Sequence, residues 1–344
     1  MTIPRFRLSP DYEISRVIKG GWHLAGGHGP VDRSQAIADM AAFVEAGVTT
    51  FDCADIYIGV EELIGEFRRA CPSLAGQTQI HTKFVPDLAD LECVDRAFVE
   101  SAIDRSLRRL GVEQIDLVQL HWWDFATPGY VEAALELGRQ QQAGKIRHVA
   151  VTNFDTPHLR DLVDAGAPIV AHQLQQSLID RRPDNGMAAY CAGQGVHMLC
   201  YGAVAGGFLS ERWLGPSEPA GELGNRSLVK YRLIIEEFGG WKLFQRLLET
   251  LTAVASKHAV DIATVATRAV LDRPGVAAAI VGATNRAHLP AHGRIGDCEL
   301  DAEDRAAIDA ICKLRQGPNG DVYALERDRE GPHGRIMQYE LNNA

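Results

Sequence analysis

Nowhere does this chain stay apolar for the ~18 residues that a membrane-spanning helix requires. Its first ten residues carry Arg5 and Arg7 but no apolar core of a secretory signal. Both absences predict a cytoplasmic protein without membrane partners. Cysteine is scarce and irregular, seven in 344 residues with no Cys-x-x-Cys pair, so reduced, packing thiols are expected rather than a disulfide framework. An excess of positive charge is missing. The net charge of −10 speaks against nucleic-acid partners and leaves only local patches for an anionic cofactor. No His-Glu-x-x-His motif occurs. His288 and His292 are four apart, but Pro290 lies between them and no Glu follows the first, so no metal is expected. A Gly-x-Gly-x-x-Gly fingerprint is also lacking after the first strand, which argues against a doubly wound dinucleotide-binding sheet.

What is present is alternation. Eight short apolar runs, at 15–21, 49–51, 79–85, 116–124, 148–154, 169–174, 196–201 and 277–282, read as strands separated by helical stretches. Asp32 is placed as an N-cap, Ile37, Met40, Ala41 and Val44 make an apolar stripe, and Gly47 follows as a stop. Val99, Ala102, Ile103, Leu107 and Leu110 repeat the pattern before Gly111. No connection between the eight runs reads as a hairpin turn, so the sheet is parallel, and eight units closing on themselves make an α/β (β/α)₈ barrel. Residues 3–22 predict a short N-terminal hairpin ahead of the first barrel strand. From 204 to 240 the pattern breaks into Gly- and Pro-rich chain, a long excursion after strand seven with extra helices beyond it. Residues 1–344 are read as one domain, with 315–344 a tail of uncertain structure.

In a barrel the C-terminal strand ends share one mouth. Asp52 and Tyr57 follow strand two, Lys83 lies in strand three and His121 in strand four. An ammonium beside a phenol favours the phenolate and lowers its pKa, an Asp fixes the ammonium, and the imidazole orients a carbonyl. The four make a proton donor for an oxygen that gains charge. The matching hydride must come from a nicotinamide, which no side chain replaces.

These motifs resemble the aldo-keto reductase family over about residues 3–315. Phe51-Asp52-Cys53-Ala54-Asp55-Ile56-Tyr57, Thr82-Lys83, Leu120-His121, Val151-Thr152-Asn153-Phe154 and Gln173 occur in the family's order, each on an expected strand end. The resemblance implies a tetrad of Asp52, Tyr57, Lys83 and His121 with Tyr57 as general acid/base, NADP(H) as cofactor with NAD(H) as the alternative, and an aldehyde, ketone or matching alcohol or sugar as substrate. It further implies that Thr152, Asn153 and Gln173 hold the carboxamide, that Tyr201 stacks on the nicotinamide ring, and that Gly21 and Trp22 border the cofactor, as does Asp52. Gly202, Val204, Ser210 and Arg212 fall where the pyrophosphate is covered. Gly282, Thr284, Arg286 and His288 fall where the adenosine 2′-phosphate is held.

Two departures stand out. Tyr201-Gly202-Ala203-Val204 replaces the family's Tyr-Ser-Pro-Leu, and Ala291 and His292 replace its Glu and Asn. Trp22, His23, Trp122 and Trp123 are the candidate substrate walls, with one of the paired tryptophans expected at the substrate. Some relatives are channel β-subunits that hold NADPH with little turnover. In those the strand-four His is replaced, whereas His121 is kept here, which favours an enzyme over a regulatory or sensor protein.

Overall fold

The computed structural model describes residues 3–26, 29–221, 223–283 and 285–342. β1 (Arg5–Ser9) and β2 (Tyr12–Ser15) pair antiparallel, as the hairpin expectation required. The barrel then runs β3 (Val17–Gly20), α1 (Arg33–Glu45), β4 (Thr50–Asp52), α2 (Val60–Ala70), the short α3 (Pro72–Ala75), β5 (Gln79–Phe84), α4 (Arg96–Leu110), β6 (Ile115–Leu120), α5 (Tyr130–Gln142) and β7 (Ile146–Thr152). It continues with α6 (Thr156–Asp164), β8 (Ile169–Gln175), α7 (Met187–Gln194), β9 (His197–Tyr201), α8 (Arg226–Phe238), α9 (Gly240–His258), α10 (Ile262–Leu271) and β10 (Val276–Gly282). Last come α11 (Leu289–Asp297), α12 (Ala302–Cys312) and α13 (Ala324–Arg327). β3 to β10 are all parallel and close into a ring in which β10 pairs with β3. The eight-unit reading is therefore correct.

The helix starts follow from short acids. Asp32, Asp95, Asp155, Asp261 and Asp301 each accept a hydrogen bond from a first-turn N–H of the helix that follows. Gly111 ends α4 in the left-handed conformation, where a Cβ carries a steric cost. Strand residues alternate between two cores. Ile18, Leu117, Ala150, Ala171, Leu199 and Ala277 fill the barrel, and Leu8, Tyr12 and Ile14 of the hairpin close its N-terminal end. The opposite faces pack on the helices through Val17, Phe51, Val118, Val149 and Val281.

The structure corrects three expectations. β6 ends at Leu120, so Trp122 and Trp123 lie in the loop beyond it. The irregular stretch ends sooner than expected, because α8 occupies its second half and buries Leu228, Tyr231, Ile234, Ile235 and Phe238 with α9 in a second core. The tail has a defined place. Arg327 donates to the carbonyls of Trp122, Trp123 and Asn153 at 2.6, 2.7 and 2.8 Å, and Asn342 donates to that of Val85 at 2.7 Å. These carbonyls follow β5, β6 and β7, so the tail is laid over the mouth of the barrel.

Candidate active site

Asp52 is the last residue of β4, which puts its side chain at the mouth on a stiff support. Lys83 reaches it from β5. The Nζ stands 2.7 Å from Asp52 Oδ2 and donates to the Cys53 carbonyl at 2.7 Å, with both side chains almost wholly buried. Asp52 Oδ1 accepts from the amides of Gln119 at 3.0 Å and Gln173 at 2.6 Å. The carboxylate is thus held on both oxygens. Burial opposes the Lys83 ammonium, but the charges of Asp52 and Tyr57 outweigh it and move its pKa well above the ordinary value. Lys83 is a fixed cation.

Its charge faces the phenol. Lys83 Nζ lies over the Tyr57 ring, 5.0 Å from the centroid. The sequence expectation of a more acidic phenol is corrected here. Burial raises the Tyr57 pKa, and the Lys83 charge offsets this only in part, so the phenol stays above its ordinary value. Trp22 packs edge-on against Tyr57 with centroids 5.0 Å apart. Gly21 is obligatory beneath it: its N–H donates to the Asp52 carbonyl at 2.7 Å, and a Cβ there would stand 2.8 Å from that oxygen.

His121 follows β6 and is buried. Burial, aided by the nearby Arg327 charge, drops its pKa to about 3, so the imidazole is neutral. Nδ1 lies 3.3 Å from the Thr152 carbonyl. A carbonyl only accepts, so Nδ1 carries the proton and Nε2 presents a lone pair. Nε2 is buried and unpartnered. Trp123 packs edge-on against the imidazole at 4.3 Å, and Tyr323 of the tail does so at 5.6 Å. Trp122 is removed from this site. It is fully buried against Tyr130, and its indole N–H is spent on the Thr127 carbonyl at 2.9 Å. Trp123 is therefore the member of the pair beside the imidazole. His23 sits half-buried in the turn that carries Trp22.

The residues expected to hold a carboxamide stand at the ends of β7 and β8 as polar side chains facing the mouth. Thr152 Oγ1 is buried without a partner. Asn153 holds φ at 62°, a costly backbone for a non-glycine residue, and its Oδ1 accepts from the Tyr201 hydroxyl at 2.8 Å. Gln173 is shared with Asp52. Tyr201 offers its ring at the end of β9, with Lys230 of α8 5.2 Å from the centroid. Gly202 is at φ 80° and pressed against Tyr231, where a Cβ would stand 2.3 Å from the hydroxyl. Beyond Val204, Ser210 donates to the Gly207 carbonyl at 2.7 Å, and Arg212 is exposed over Trp213.

At the far end Gly282 is exposed and His288 stacks near His292. Arg286, half-exposed, lies 3.0 Å from Asp39 of α1. Thr284 lies outside the described residues.

Sequence reasoning missed several groups at the mouth. Gln119 was legible, since it lies two residues before His121 on the same strand face. Lys230, Tyr323, Glu326 and Arg327 carried no local signal. Glu326 is buried and ion-paired to Arg182 at 2.7 Å and to Lys230 at 3.4 Å, and Arg182 pairs in turn with Asp180 at 2.7 Å.

The model described as Aldo/keto reductase family matches residues 16–313. The chain is 27% identical over 307 residues to aldo-keto reductase YhdN of Bacillus subtilis, covering 87% of this chain and 90% of that one. It is 23% identical over 295 residues to the NADH-specific methylglyoxal reductase of Escherichia coli, covering 80% and 87%. Among solved structures it resembles the glycerol dehydrogenase AKR11B4 from Gluconobacter oxydans, with a TM-score of 0.78, 25% identity and coverage of 92% and 97%.

Proposed function

We propose, because the chain belongs to the aldo/keto reductase family, that it interconverts an aldehyde or ketone with the matching alcohol at Tyr57, working as a cytoplasmic enzyme. The observation that carries this reading is the Asp52–Lys83 ion pair, 2.7 Å long and buried, with its ammonium over the Tyr57 ring. Relatives in the family bind NADP(H), as in the Klebsiella pneumoniae aldo/keto reductase solved with NADP and acetate, whose TM-score is 0.69. Bound here, the cofactor supplies or takes the hydride, with Thr152, Asn153, Gln173 and Tyr201 as its holders at the reacting end.

The chain's own residues handle the proton. Burial keeps the Tyr57 phenol protonated at neutral pH, ready to donate to a carbonyl oxygen as that oxygen gains charge. The phenolate left behind is stabilised by Lys83, whose charge is fixed by Asp52. His121 offers a bare Nε2, which accepts the O–H of the alcohol and aligns it with Tyr57. Run in reverse, Tyr57 is the base. Trp22 and Trp123 form apolar walls beside these groups.

Tyr57→Phe tests the assignment. With NADPH and a panel of aldehydes, followed at 340 nm, wild type turns over and the variant falls to background. A variant within tenfold of wild type would refute Tyr57 as the proton donor. NADP(H) is taken as the physiological pair, with Arg286 leaving Asp39 for the 2′-phosphate. Similar KM values for NADH and NADPH, unchanged in Arg286→Ala, would overturn that preference.

A further inference from the structure

Arg327 has no ion-pair partner among the described residues, although the charges of Asp155, Asp124 and Glu326 act on it, and it lines a cavity next to the His121 imidazole. A guanidinium has five N–H groups. Nη1 spends its two on the carbonyls of Trp122 and Trp123, and Nη2 spends one on Asn153. One N–H of Nη2 remains, together with that of Nε, which is buried and unpartnered. Two donors on adjacent nitrogens are the fork that a carboxylate accepts in bidentate fashion. No carboxylate among the described residues lies within ion-pair distance of this guanidinium. Glu326 is taken by Arg182 and Lys230, and Asp124 faces Arg329 at 3.9 Å.

The surroundings are those of a binding site. Arg327 lies over the Phe125 ring, with its Cζ 3.8 Å from the centroid, and 5.5 Å from that of Tyr323. It lines a cavity of about 200 Å³ with Trp123, Tyr323, Tyr339, Leu88 and Asp124. Trp123 and Tyr323 are also the two rings packed on His121, so the cavity shares two walls with the imidazole. The Trp123 indole N–H is a further buried donor with no partner. A cation and an N–H left unmatched among buried groups recognise an anion, whereas a neutral ligand leaves them unpaired.

We propose that Arg327 selects substrates bearing a carboxylate, so that the preferred carbonyl compound is an oxo acid and its partner a hydroxy acid. This rests on the reading of Tyr57, Lys83 and His121 as the reducing site. Arg327 is a specificity residue, and its three carbonyl contacts fix the fork in place.

The test compares 4-formylbenzoate with 4-formylbenzamide, and 5-oxopentanoate with pentanal, in NADPH-coupled assays of wild type, Arg327→Gln, Arg327→Lys and Tyr57→Phe. Wild type should favour the acid of each pair by about 10- to 100-fold in kcat/KM, expressed mainly in KM. Arg327→Gln should bring that ratio near unity, and Arg327→Lys should restore part of it. A ratio untouched by Arg327→Gln, or KM values for acid and amide that rise together, would overturn the proposal and leave Arg327 a strap for the tail. Binding of benzoate and benzamide, followed by tryptophan fluorescence, reads the fork without turnover. Benzoate binding that survives in Tyr57→Phe and is lost in Arg327→Gln supports the proposal even if the reductase reading falls. Equal binding of the two by wild type overturns it while leaving that reading intact.

Discussion

Lys83→Met separates the electrostatic role of the ammonium from its structural one. A unit charge about 5 Å from the centre of the phenol ring, in an effective dielectric of about 20, is worth ~3 kcal/mol. Fully expressed in the transition state, that is about two orders of magnitude in rate. The same change strands the Asp52 carboxylate, buried at 4% exposure, with only the amides of Gln119 and Gln173. Breaking a buried pair from one side costs about 3–5 kcal/mol, and in a chain of this length that lowers Tm by about 5 °C. The single variant therefore loses both activity and stability and cannot tell the two apart. Asp52→Asn/Lys83→Met can. It removes both charges, so most of the lost Tm should return, because a buried pair is worth little against neutral isosteres. The kcat should stay about 100-fold down, because the charge facing Tyr57 is still gone. Thermal unfolding and NADPH oxidation on the same preparations make the comparison. A double variant that recovers rate together with stability would show that the pair only supports the loop of Tyr57, and the catalytic argument would fail.

Neither His121 nor Tyr57 should contribute an inflection to the pH profile of carbonyl reduction between about pH 5.5 and 8.5. The His121 pKa is pushed down to about 3 by burial and that of Tyr57 is raised above its ordinary value, so neither group changes charge in that window. A limb near 6.5 that disappears in His121→Asn would contradict this. The two adjacent tryptophans should part company: Trp123→Phe raises KM for aromatic aldehydes with little change in Tm, whereas Trp122→Phe lowers Tm by a few degrees through the lost bond to Thr127 and the cavity it leaves. The reverse pattern in calorimetry and kinetics would exchange their roles. Arg182→Met leaves Asp180 and Glu326 facing one another without the cation between them, which should cost about 3–5 kcal/mol and expose the tail to trypsin. Unchanged Tm and an unchanged digestion pattern would show that the tail is held elsewhere.

The barrel was legible because its signals are local. Each strand is an apolar run of a few residues, several helices have a stripe with a short acid ahead of it, and the alternation leaves one topology. The shared mouth of Asp52, Lys83 and His121 was legible for a related reason, since these residues stand at or just past strand ends whose common direction the barrel fixes. Three things were not. The Gly- and Pro-rich residues before α8 masked a helix whose apolar face pairs with α9, a contact visible only in three dimensions. The phenol's pKa depends on the balance of burial against one ammonium, and sequence supplies the ammonium but not the burial. The tail has no hydrophobic period because what fastens it is a few buried side chains and polar contacts scattered along it. Glu326 meets Arg182 across 144 positions and Asn342 meets Val85 across 257, and no local pattern encodes such pairings.

The two ends of the described chain lie at opposite poles of the barrel. The hairpin that begins it stoppers the N-terminal pole, whereas Leu341 and Asn342 donate their backbone N–H groups to Asp87 just past β5, on the rim where reactants enter. A fusion partner or affinity tag attached on the side of the hairpin is therefore carried well clear of the chemistry. A tag attached on the side of Asn342 starts from the rim itself, and an enzyme prepared that way should show slower substrate entry for reasons unrelated to its catalytic groups.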